Sequence, residues 1–258
     1  MFRSSNPTLR EGFFEQERAY AGQQAMTIQG TINKCFILLS LIVVSAAWVW
    51  GQVIPKTPIL DVYGQVAPSN PAAMSLAIGG MFVGAIFGFI TIFKRDWAHV
   101  TAPIYAVCEG AFLGGVSAMF EMQYPGMVTQ AVMLTFGVLF CMLAIYRSGL
   151  IKVDQKFVMG VSSAIGAIFL IYMVNLVLSF FGRGVPLMYS SSPFGIGFSL
   201  IVCGIAALSL MVDFYMIEQY SRMGLNKRME WYGAFSLMVT LVWLYLEILR
   251  LLSKLNRR

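Results

Sequence analysis

Seven apolar stretches, each about long enough to cross a bilayer, constrain this chain more than any other feature. They run over about Cys35–Gln52, Ala73–Phe93, Ala102–Phe120, Val128–Tyr146, Phe157–Phe181, Pro193–Tyr215 and Trp231–Leu252. A helix needs ~20 mostly apolar residues to span the hydrocarbon layer. Only a helix or a closed barrel satisfies its own backbone there. Turn and charge signals separate the stretches: IPKTPILDVYGQVAPSNP, KRDWAH, EMQYPG, RSGLIKVDQK, GRGVPLMYSSS and EQYSRMGLNKRME. Charged residues make up 12% of the chain, against about 25% in soluble domains. That is too few to cover a water-facing surface, and the mean hydropathy of +0.73 agrees. The chain therefore reads as an all-α integral membrane protein, a bundle of seven transmembrane helices. Residues 1–34 form a polar N-terminal tail and residues 35–258 the transmembrane domain.

The tail lacks a short apolar core followed by a small-residue cleavage site, so it is expected to be retained. Its segment NPTLREGFFEQERAY has the composition of a short interfacial helix. Lys and Arg set the expected orientation. With the N-terminus in the cytoplasm, 12 of the 18 basic residues fall inside, as the positive-inside bias requires. The basic end, Lys254 to Arg258, then falls outside, against that trend. These flanks account for the net charge of +6. No basic patch with interleaved aromatics points to nucleic acid.

Cys35, Cys108, Cys141 and Cys203 all fall inside spans and form no CxxC, which disfavours disulfides and a zinc site. The single His99 lies beside Trp97 at a span edge. No tightly bound cofactor is expected.

The informative residues are the polar ones inside the spans, because a charge at bilayer depth costs roughly 2.5–3.5 kcal/mol on insertion scales. Glu109 sits among Gly110, Ala111, Gly114, Gly115 and Ser117. Its glycines have the GxxxG spacing that lets another helix approach closely. Glu109 suits either a packing face or a carboxylate lining an ion path. Glu247 and Arg250 lie three residues apart in the apolar run LVWLYLEILRLL and can pair locally. Glu218 and Arg222, four apart, suit an interfacial pair. Glu121 lies at a loop edge and reads as solvated, and Asn175 is the other strongly polar interior group. Asp213 has no basic residue three or four positions away, so its partner must come from another helix, water or a cation. Two such carboxylates sharing a proton would make a pH-sensitive latch, and ionised they would repel or hold a hard cation such as calcium.

At these residues the sequence resembles the Bax inhibitor-1 (TMBIM) family in its bacterial branch. TAPIYAVCEGAFLGGVS, LSLMVDFYMIEQ and MEWYGAFSLMVTLVWLYLEILRLL carry the likeness, with SNPTL and MTIQGTINK near the start. The resemblance implies a seven-helix bundle with the last helix central, in a bacterial plasma (inner) membrane. It implies a pH-sensitive calcium leak in which two acidic residues on the last two helices gate the pore. By motif Asp213 matches the first acid and Glu247 the second, with Glu where Asp is usual. Glu109 matches a recurrent acidic position, and Glu218 is a substitute partner for Asp213.

Depth decides whether the two acids meet. With spans six and seven centred near Ala206 and Val242, Asp213 lies ~10 Å inward of the midplane and Glu247 ~7 Å outward, at 1.5 Å per residue. They pair only if span seven starts near Ser236 or the helices tilt.

Three functions compete. A proton-gated calcium leak needs polar groups on one path and no energy-coupling domain, and no GxxxxGK[ST] is present. An intramembrane aspartyl protease would need a GxGD pattern, but Gly195-Ile196-Gly197 is followed by Phe198; one His excludes HExxH. The chain is therefore not expected to be an enzyme. The alternative is a regulator that binds another membrane protein through small-residue faces, without transport. Expected partners are the lipid bilayer, calcium and protons, with Asp213 and Glu247 as calcium ligands if they meet.

Overall fold

The structure is a computed structural model that describes residues 24–54, 70–181 and 191–257. The expected interfacial segment near the N-terminus lies outside them. Seven long helices follow in order: α1 Ile28–Val53, α2 Pro71–Phe93, α3 Ala98–Gln123, α4 Met127–Ser148, α5 Gln155–Phe180, α6 Pro193–Arg222 and α7 Met229–Asn256. A 3-10 turn, Arg95–Trp97, joins α2 to α3. All seven are long and apolar enough to cross a membrane. The chain is an integral membrane protein.

Helix ends follow capping chemistry rather than hydropathy alone. Thr27, Asn70, Asp154 and Ser192 cap α1, α2, α5 and α6 by accepting first-turn backbone N–H groups, which satisfies donors that the helix cannot. This is why α1 starts seven residues before the apolar run at Cys35. At the other end of its apolar run α6 continues past Tyr215 to Arg222, since no Gly or Pro stops it earlier. Gly149 ends α4 with φ +68°, a left-handed turn that glycine adopts without strain.

Helix α7 is the centre. It packs against α1, α3, α4 and α6 and buries residues on all its faces, among them Phe235, Met238, Leu241, Leu244 and Leu249. Helix α2 lies mainly on α3, and α5 mainly on α6. Their outward faces carry Phe82, Phe89, Phe169 and Leu170, all exposed, as lipid contact requires. In lipid, burying a leucine gains little by transfer, so close packing must hold the bundle.

The glycines of α3 provide that packing. A Cβ at Gly114 would strike the backbone of Ala46 (2.9 Å to its Cα), and one at Gly110 would strike Ile42 and the Ser45 hydroxyl. The helix that the GxxxG face receives is thus α1.

The segment before α1 is pinned to the α6–α7 turn. Met26 N–H donates to the Leu225 carbonyl (2.7 Å) and Lys227 N–H to the Gln24 carbonyl (3.0 Å). Below this bridge Glu230, 1% exposed, accepts from the Thr27 N–H and hydroxyl, both 3.0 Å, and from the Lys34 ammonium.

Candidate functional site

Asp213 lies in α6 where that helix crosses α7. It is 8% exposed. The Ser236 hydroxyl of α7 donates to its Oδ1 at 2.6 Å, and Thr240, one turn on, lies beside it. Its Oδ2 is buried with no hydrogen-bond partner. The ion pairs among the described residues are Lys34–Glu230, Arg222–Glu218 and Arg250–Glu247, and none includes Asp213. Cys35 of α1 and Tyr220 of α6 are the titratable groups around it. Among the described residues the other buried acids, Glu230 and Glu247, each meet a cation, and Asp213 does not.

Glu247 is buried at 2% exposure but fully engaged. Arg250 donates to both its oxygens, at 2.8 and 3.0 Å. Tyr172 of α5 donates at 3.0 Å and Trp243 at 3.3 Å. Arg250 also donates to the Tyr172 hydroxyl at 2.6 Å and lies over its ring. The local i,i+3 pair expected from the sequence is therefore present.

The structure does not bring Asp213 and Glu247 together. Asp213 is level with Ser236, and Glu247 follows eleven residues later, ~16 Å along a straight helix. Helix α7 starts at Met229, too early to align the two acids, and they keep the depth difference that the span centres imply. No group of three His, Cys, Asp or Glu side chains converges as a metal site among the described residues.

Glu218 pairs with Arg222 at 2.5 Å and accepts from Tyr146 of α4. It is one of the residues lining a groove of about 900 Å³ whose walls include Cys35, Phe214, Leu237 and Leu241. Arg147 and Arg222 share that wall, as do Ile32, Phe36 and Phe140, which are exposed on the outer face of the bundle. Asp213 itself does not line the groove, though Cys35 and Phe214 beside it do. Glu109 lies elsewhere. It is half-buried between α3 and α2, against Gly84 and Tyr105. Tyr105 packs edge-on against Phe235 of α7, with ring centroids 5.1 Å apart, and so links Glu109 to the central helix.

These positions fall within a match to one family model. The model is described as Bax inhibitor 1 like and covers residues 6–257. The chain belongs to the Bax inhibitor 1 like family. No curated protein and no solved structure matches it.

Three features of this Bax inhibitor 1 like chain escaped the sequence. Lys254, placed in an outer basic tail by its spacing, is 4% exposed and donates to the Gly195 carbonyl at 3.0 Å and the Ser199 hydroxyl at 2.7 Å. Glu230 looked like a loop charge but is buried. Glu121 is not simply solvated: it accepts from the Gly126 and Val128 N–H groups at 2.6 and 3.2 Å and caps α4. Each depends on a partner outside its own helix, which no local spacing displays.

Proposed function

We propose that the protein is a passive, pH-sensitive cation leak with calcium as the permeant ion, and that Asp213 is its proton sensor. The observation that carries this reading is the buried Asp213 carboxyl with one oxygen unpartnered and no ion pair. Protonated, the group is neutral and fits the α6–α7 contact with Ser236. Ionised, it leaves a charge at bilayer depth that costs several kcal/mol until water or a cation reaches it. Proton loss therefore loosens the contact or admits a cation, and rising pH favours the open form.

In this reading the route is the groove whose wall carries Glu218 and the neighbours of Asp213, and Glu218 is the carboxylate that a cation in the groove meets before Asp213. Opening it requires Glu218 to exchange Arg222 for the ion. Calcium takes 6–8 oxygen ligands. Asp213, Ser236 and Thr240 supply fewer, so water completes the shell and binding stays weak, as passage requires. Glu247, held by Arg250 and Tyr172, acts in this reading as a structural counter-charge, and Glu109 as a packing carboxyl outside the groove.

Purified protein in liposomes tests the leak. Calcium entry above that of protein-free liposomes, rising from acid to neutral pH, is expected. Entry equal to that of protein-free liposomes at every pH would leave the protein a regulator without transport.

A further inference from the structure

The opposite end of α7 from Asp213 holds a second polar site that the leak does not use. A cavity of about 290 Å³ lies between α5, α6 and α7, walled by Tyr172, Ser199, Arg250 and Lys254 among others. Its wall carries two cations. Arg250 is matched by Glu247. Lys254 has only neutral hydrogen-bond partners, a backbone carbonyl and a hydroxyl, which fill two of its three N–H donors, and the nearby Glu247 is already paired with Arg250. The described wall is thus left with one positive charge in excess. The N-terminus of α6, two residues before Gly195, adds the positive end of a helix dipole. A buried ammonium that shares one carboxylate with a second cation is costly, and an anion in the cavity lowers that cost.

Position and opening identify the anion's source. Lys254 is two residues from the end of α7, and Gly195 lies in the first turn of α6, so the site is near the membrane interface. Phe169, Met173 and Leu176 of α5 also line the cavity and are exposed on the outer face of the bundle. The cavity therefore opens sideways toward lipid. We propose that it binds the phosphate of an anionic phospholipid, with Lys254 and Arg250 as donors and the acyl chains along the exposed face of α5.

Native mass spectrometry of the detergent-purified protein, with phosphatidylglycerol and phosphatidylcholine in equal amounts, tests this. One tightly retained phosphatidylglycerol is expected. Lys254→Met should lower its retention about tenfold, as loss of one charge-assisted contact does. Lys254→Arg should keep most of it, and Lys94→Gln, on the α2–α3 connection, should change nothing. If Lys254→Met fails to fold, Leu176→Trp narrows the opening without touching the charges and should also lower retention. Equal retention in the wild type and in whichever of Lys254→Met and Leu176→Trp folds would overturn the site. Thermal protection by millimolar inorganic phosphate alone, in lipid-free detergent, would overturn its assignment to a lipid.

Discussion

Replacing Arg250 by Ala leaves Glu247 as an uncompensated charge inside the bundle. Breaking a buried pair from one side costs about 3–5 kcal/mol, and Arg250 is 38% exposed on its side chain, so the lower end is expected. Denaturant unfolding in detergent measures it. Adding Glu247→Gln to Arg250→Ala should recover most of the loss, because no charge is then stranded. An equal loss in the double variant would show that the pair is not what holds Glu247. This pair was readable from the sequence because both residues share one helix face. The isolation of Asp213 was readable too, from the lack of a nearby Lys or Arg. Its partner Ser236 was not, since it depends on how α6 and α7 cross. Lys254 was misread for the same reason: its acceptors lie on α6, more than fifty residues earlier in the chain.

Among the elements, the α1–α3 contact is the one set most directly by side-chain size. Gly114→Leu must push the Ala46 backbone aside, and overpacking of this kind costs about 1–3 kcal/mol. Gly137→Ala on α4 meets open space and should be neutral or stabilise by up to ~1 kcal/mol. Thermal unfolding of the two variants compares them, and equal melting temperatures would contradict the close approach. The small-residue spacing announced such a contact but not the helix that fills it, because several spans present a compatible face. Helix ends were legible only to several residues. Hydropathy stops at Cys35 and Tyr215, whereas α1 runs back to its Thr27 cap and α6 on to Arg222. The clasp on α1 was not legible at all. Lys34→Met strips Glu230 of its cation and should cost about 3 kcal/mol. Lys34→Met with Glu230→Gln should cost less, and hydrogen exchange at Met26 and Lys227 would report release of the segment.

At the scale of the molecule, the membrane class and the seven spans were plain in the apolar runs, since nothing else hides so many apolar residues. That α7 is central came only through the family resemblance. Its physical basis is burial on every face, and a sequence cannot distinguish a neighbour's side chains from lipid tails. Seven crossings put residues 24 and 257 on opposite sides. A reporter fused after Arg257 and one in the Lys152 loop should therefore read opposite sides, the loop cytoplasmic if the Lys and Arg bias sets the orientation; the same side for both would refute seven crossings. The leak itself turns on one group. The most direct measurement is the pH dependence of calcium flux in liposomes for the wild type, Asp213→Asn and Glu247→Gln. Flux in the wild type should rise as Asp213 loses its proton. Asp213→Asn, which keeps the shape and cannot ionise, should flatten the profile, while Glu247→Gln should keep its form. A normal pH profile in Asp213→Asn would contradict the proton sensor assigned to that residue.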